Sequence, residues 1–126
     1  MRARSGVHAR RSLREGYPPD LAAKYLQLAE DGIRVAPQIS AAVRFQHLNL
    51  LDAAAVQDLG LFDLILCRNV LIYFRDARTQ QVLKHLTAAL QPGGVLVVGV
   101  SESLLRFGTA LVCEERAGSF FYRKVR

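Results

Sequence analysis

The run Phe62-Asp63-Leu64-Ile65-Leu66-Cys67 constrains this chain more than any other stretch. Its strand-forming character stops abruptly at Arg68-Asn69 before Val70-Leu71-Ile72 resumes the apolar pattern. Parallel strands buried in an α/β sheet read as near-continuous Leu/Ile/Val runs, and ligands sit beyond their carboxyl ends. Arg68 and Asn69 fall at such an end. The spacing alone leaves two readings: a ligand-facing edge, or a polar pair that simply starts a turn.

The residues that follow make this strand part of a crossover unit. Asp76 is expected to cap a helix from Ala77 to Leu90, with Val82, Leu86, Ala89 and Leu90 on one face, and Gln91-Pro92-Gly93-Gly94 to stop it. The all-apolar Val95 to Val100 is then expected to be a strand buried on both faces, parallel to the first by the right-handed crossover rule. Gly93-Gly94 precedes a strand and opens no helix, so it reads as a turn and not a phosphate cradle. Ser101-Glu102-Ser103 reaches the same edge as Arg68-Asn69. Glu102 reads equally as a group that orients Arg68 or lines a cleft, and as the cap of a short helix running through Phe107. Leu111 to Glu114 and Ser119 to Arg123 alternate as a terminal hairpin around Ala117-Gly118.

Upstream, Pro18 to Leu28 has a helical pattern with Asp20 as its cap, and Asp31-Gly32 marks a turn. A small hairpin is expected from Ile33-Arg34-Val35 and residues 39–45. Val43 to Leu48 reads as a strand ending at Asn49-Leu50-Leu51-Asp52, where Asp52 caps a helix from Ala53 to Leu59 closed by Gly60. His47 has no partner at metal spacing and reads as an edge residue.

With 126 residues, 51% of them hydrophobic, the chain is one domain at most, and short for a complete nucleotide-type α/β domain. Cys67 and Cys113 lie inside apolar runs and read as small buried hydrophobes in a reduced protein; no metal site is expected. No apolar run reaches bilayer-spanning length, so a soluble, cytoplasmic protein is expected, without membrane insertion. The net charge of +6 is concentrated at the start, where Arg2, Arg4, Arg10, Arg11 and Arg14 face the single acid Glu15. This segment reads as a solvated, partly helical arm, or as a contact for nucleic acid or an acidic partner.

The segment FDLILCRNVLIYF (Phe62 to Phe74) resembles the CheR-type family of chemotaxis methyltransferases. It is joined by FQHLNLLD (Phe45 to Asp52), LQPGGVLVVGVSESL (Leu90 to Leu104) and Phe121-Tyr122-Arg123, so the resemblance spans about residues 3 to 124. It implies an α/β fold: the carboxyl-terminal portion of a Rossmann-like class I methyltransferase sheet, ending in an antiparallel hairpin. Residues 1–126 would be a partial methyltransferase domain, with a basic arm over 1–17, a helix plus a small β-subdomain over 18–45, and the remaining α/β core over 46–126.

The cofactor implied is S-adenosyl-L-methionine. The residues matching Asn49 and Leu50 lie beside its adenine in the family, Asn69 matches a cofactor-binding residue, Arg68 contacts the cofactor or steers the substrate, and Tyr73 walls the site. The implied reaction moves a methyl group to a glutamate side chain of a methyl-accepting chemotaxis receptor, in its cytoplasmic domain. A carboxylate is already ionised at neutral pH and needs no strong base, so no catalytic acid or base is named. Alignment and water exclusion carry such a reaction. Val100 stands where the family usually has His. The family's glycine-rich loop, and the acid that takes the ribose hydroxyls, have no counterpart here. The chain by itself is therefore expected to bind the cofactor very weakly, to transfer no methyl group, and to expose sheet edges that favour self-association. A catalytically inactive domain that only binds a protein partner is the alternative. A nucleic-acid-binding fragment is a third reading, supported by the arginine arm alone, and no nucleic-acid partner is expected.

Overall fold

A run of short elements opens the chain in the computed structural model, which describes residues 2–13, 16–30 and 32–126, without the side chains of Arg2 and Ala3. Arg14, Glu15 and Asp31 of the expected arm and turn lie outside the described residues. The first elements are helix α1 (Arg2–Ser5), strand β1 (Val7–His8) and a 3₁₀ turn (Arg10–Ser12). Helix α2 (Pro19–Tyr25) then leads directly into strand β2 (Leu26–Ala29), which pairs antiparallel with β3 (Gly32–Val35). β1 adds to the far side of β3, so the order is β1-β3-β2.

The expected hairpin exists, but its strands differ. Leu26 to Leu28, expected to be helical, belong to its first strand, and of residues 39–45, expected to be extended, 39–42 belong to helix α3 (Pro37–Ala42). Both helices start with proline in the first turn, where a missing N–H costs nothing. Asp20 therefore lies inside the first turn of α2, and Pro18 holds the cap position. Residues 43–49 form no strand, contrary to the pattern of Val43 to Leu48. A strand needs a neighbouring strand to take its backbone groups, and none pairs here.

The chain divides into two units, Met1–His47 and Leu48–Arg126. The second begins with α4 (Ala53–Gln57), whose cap Asp52 accepts a hydrogen bond from the Ala55 N–H at 3.1 Å. Strand β4 (Phe62–Cys67), a 3₁₀ turn (Leu71–Tyr73), helix α5 (Asp76–Ala88) and strand β5 (Leu90–Val98) form the expected crossover, with β4 and β5 parallel. Arg75, not Asp76, occupies the cap of α5; Asp76 is its first residue and pairs with Arg106 at 3.0 Å. The Pro-Gly-Gly segment is taken up in β5 as an irregularity: Phe62 pairs Leu90 and Leu64 pairs Val95, so β5 inserts extra residues there.

Strands β6 (Leu111–Arg116) and β7 (Ser119–Lys124) make the terminal hairpin, and β7 joins β5 antiparallel through Val95–Arg123 and Leu96–Tyr122. Its turn, Ala117-Gly118, has φ of 50° and 74°, the left-handed pair that matches hairpin twist. The sheet order is β4-β5-β7-β6. Arg123 fastens the hairpin, donating to Glu114 at 2.7 Å and to the Gly93 carbonyl at 2.8 Å.

One face of this sheet is filled and the other is not. Cys67, Leu96, Val98 and Tyr122 pack with Val82, Leu83, Leu86 and Leu90 into one core. On the alternate positions, Leu64 and Leu66 are 54% and 66% exposed, and Val95 and Val97 are half-buried. The expectation that Val95 to Val100 is a strand buried on both faces is thus corrected: β5 ends at Val98, and Val100 is 99% exposed. β4 is the outer strand among the described residues, and the filled face is packed by α5 together with Leu71, Leu104 and Leu111.

Candidate functional site

The carboxyl ends of β4 and β5 lie side by side because the register pairs Cys67 with Val98. Arg68 and Asn69 leave β4 there, and the turn Gly99-Val100-Ser101-Glu102 leaves β5, closed by the Glu102 N–H donating to the Gly99 carbonyl at 2.9 Å. Glu102 is 6% exposed, and its side chain folds back into the junction. Oε2 accepts from the N–H of Gly99 at 2.7 Å and of Asn69 at 2.8 Å, while Oε1 accepts from the N–H of Ile72 at 3.1 Å. Glu102 thus neither caps a helix nor orients Arg68. Leu104 holds the cap position of the 3₁₀ turn Leu105–Phe107.

The electrostatics follow from these contacts. Burial pushes the Glu102 carboxyl up, but the N–H groups of Gly99, Asn69, Ile72 and Leu71 outweigh it and hold it below its ordinary value. Cys67, one residue before Arg68, is pushed up to about 11 by burial and then by the charge on Glu102. Its thiol stays protonated at neutral pH and is no nucleophile.

Asn69 has φ of 59°, and its side chain is exposed. Arg68 is also exposed. Among the described residues neither side chain makes a hydrogen bond or ion pair within the chain, so both heads are available to a ligand. A cleft of about 540 Å³ is lined among others by Arg68, Gly99, Glu102, Ser119 and Phe120, while Asn69 lies outside its lining. Tyr73 is 81% exposed.

Asn49 and Leu50 are held by other means. Asn49 Oδ1 accepts from the Leu51 N–H at 3.0 Å, a local turn, and the Leu50 carbonyl lies 2.9 Å from His85 Nδ1. A carbonyl only accepts, so that nitrogen carries the proton. Leu50 also packs against the core. Sequence reasoning passed over His85 and Gly99. A histidine three residues before the end of an amphipathic helix carries no mark of its target, whereas a glycine between an apolar strand and an acidic turn is a legible sign of close approach.

A β–α–β crossover closed by an antiparallel hairpin, with polar residues gathered at the strands' carboxyl ends, defines a Rossmann-like α/β protein. A solved O-methyltransferase family protein from Burkholderia thailandensis has this fold, with a TM-score of 0.50 at 16% identity, covering 68% of this chain and 36% of that one. The family model described as CheR methyltransferase, SAM binding domain, matches residues 1–116, and the chain belongs to that family. It is similar to the chemotaxis protein methyltransferase of Vibrio parahaemolyticus, 39% identical over 102 residues, covering 80% of this chain and 36% of the relative. Chemotaxis protein methyltransferase 2 of Vibrio cholerae is 38% identical over 109 residues, covering 86% and 38%. The chain therefore spans little more than a third of the length of the curated relatives it matches. Among the described residues, no helix is long and apolar enough to cross a membrane, and no group of acids, histidines and cysteines could hold a metal.

In chemistry alone the exposed amides and the apolar side chain present are of a kind that suits S-adenosylmethionine. Asn49 and Asn69 offer amides that can both donate and accept, and Leu50 offers an apolar face.

Proposed function

We propose that this chain forms the carboxyl-terminal part of a cytoplasmic protein-glutamate O-methyltransferase acting on chemotaxis receptors, and that Asn49, Leu50, Arg68 and Asn69 are its contribution to the cofactor site. The observation that carries this reading is the pair of side chains Arg68 and Asn69, exposed and, among the described residues, without side-chain hydrogen bonds or ion pairs, at the carboxyl edge of a parallel strand in a chain of the CheR family. S-adenosylmethionine, when bound, supplies an electrophilic methyl group. What the chain's own residues do is bind and orient: Asn69 holds the cofactor by its amide, and Arg68 draws a glutamate carboxylate toward the edge. No residue need remove a proton, because the accepting carboxylate is ionised at neutral pH. The buried, protonated Cys67 is consistent with a site that uses no nucleophile of its own.

The glycine-rich loop and ribose-binding acid that the family resemblance calls for have no match in residues 1–126, so the chain alone holds too few contacts for tight binding. Isothermal titration of the purified chain with S-adenosylmethionine, with ester formation on a receptor cytoplasmic fragment as a second readout, tests this. The expected outcome is affinity weaker than micromolar and no ester. Micromolar binding with ester formation would show that these residues suffice.

The uncovered face of β4 supports self-association as well. Phe62, Leu64 and Leu66 present an apolar stripe next to a strand edge, the combination that drives sheet-to-sheet pairing. Sedimentation velocity should show concentration-dependent association of the chain, reduced in Leu66→Lys. A monomer at all concentrations would remove the proposal.

A further inference from the structure

We infer that Glu102 is a positioning residue, whose buried carboxylate sets the backbone of the loop after β4 so that Asn69 faces the cofactor. The inference rests on the reading of Asn69 as a cofactor residue and adds what holds it there. Asn69 occupies the left-handed region, φ 59°, which asparagine visits more readily than most residues but which no regular element imposes. Its N–H is fixed by an acceptor 33 residues away in sequence, at 2.8 Å. The same carboxylate takes the Ile72 N–H on the far side of the loop and the Gly99 N–H at the end of β5. One side chain therefore ties both ends of the loop to the neighbouring strand.

The space is shaped for this. A Cβ on Gly99 would lie 2.7 Å from Glu102 Oε2 and 3.1 Å from the Asn69 nitrogen, so only glycine lets the carboxylate and the loop meet. Because Glu102 is committed to backbone N–H groups, it leaves the Arg68 guanidinium unpaired and available to a substrate carboxylate. Glutamine cannot replace it. Its single oxygen can occupy one of the two positions, and its NH₂ then faces a backbone donor at the other.

The test is nuclear magnetic resonance of the full chain and of Glu102→Gln. In the unaltered chain the Asn69, Ile72 and Gly99 amide protons should be shifted downfield by their charged acceptor, and Asn69 should give the strong intraresidue amide–Hα Overhauser effect of positive φ. In Glu102→Gln these signals should move and the Asn69 effect should weaken, at temperatures where the remaining spectrum is unchanged. Gly99→Ala, which keeps the carboxylate and crowds it out, should alter the same amides and serves if Glu102→Gln does not fold. Millimolar S-adenosylhomocysteine, the demethylated product of the cofactor, should perturb Asn69 in the unaltered chain, with affinity lowered about tenfold or more in Glu102→Gln. Asn69 signals that are the same in the unaltered chain and in either variant would overturn the inference alone. No perturbation of the unaltered chain by the product would overturn the cofactor-site reading, and with it the functional half of the inference.

Discussion

The loops carrying the two candidate cofactor pairs differ in what holds them. Arg68-Asn69 is fixed by a buried carboxylate that collects three backbone N–H groups from two separate segments of the chain. Asn49-Leu50 is fixed by a local side-chain turn within three residues and by one bond from a histidine on α5. In the first case the conformation belongs to the assembled sheet, and in the second largely to the local sequence. The difference has an energetic side: a donor buried without an acceptor bears the full desolvation cost, whereas an exposed one falls back on water.

The largest effect is therefore expected from Glu102→Ala, which leaves the buried Gly99 N–H and the partly buried Asn69 and Ile72 N–H groups without their acceptor. Chemical denaturation should show a loss of at least about 3 kcal/mol, at the upper end for a single polar deletion. A loss under about 1 kcal/mol would mean that water enters and replaces the carboxylate.

Acid should act in the same direction more gently. The folded Glu102 carboxyl lies below its ordinary value of 4.5, so the stability it contributes is complete above that value and is lost as pH falls through the lower folded one. The Gly99 and Asn69 amide shifts should titrate with an inflection below 4.5. An inflection above it would show that burial outweighs the backbone donors.

The smallest effects belong to the other loop. His85→Ala should cost about 1 to 2 kcal/mol through the lost bond to Leu50 and some packing, and Asn49→Ala roughly 0.5 kcal/mol, both read by the same denaturation series. If Asn49→Ala cost as much as Glu102→Ala, the contrast between a tertiary and a local clamp would be wrong.

Several parts of the fold are legible from neighbouring residues because their causes are local. Asp52 caps α4 through a bond three residues away, and Ala117-Gly118 turns the terminal hairpin through its own backbone angles. The face of Val82 and Leu86 on α5 follows from helical period, whereas Leu90, expected on the same helix, begins β5 and pairs with Phe62. Where the readings failed, the cause was not local. Val43 to Leu48 has a strand pattern but no strand beside it, and Leu26 to Leu28 continue a helical pattern yet are claimed by pairing with β3. Pattern states what a segment is able to bury, and pairing decides what it becomes.

The sequence by itself determined that Arg68-Asn69 would interrupt an apolar strand and that Ser101-Glu102 would follow the next one, because period and composition mark strand ends. Only the tertiary structure decided that Glu102 serves the backbone of the opposite loop and not Arg68, and that Gly99 must lack a side chain for this to happen. The reason is physical. A buried carboxylate is satisfied by whichever donors the fold brings within about 3 Å, and N–H groups that are part of every residue leave no trace in the sequence of which ones those are.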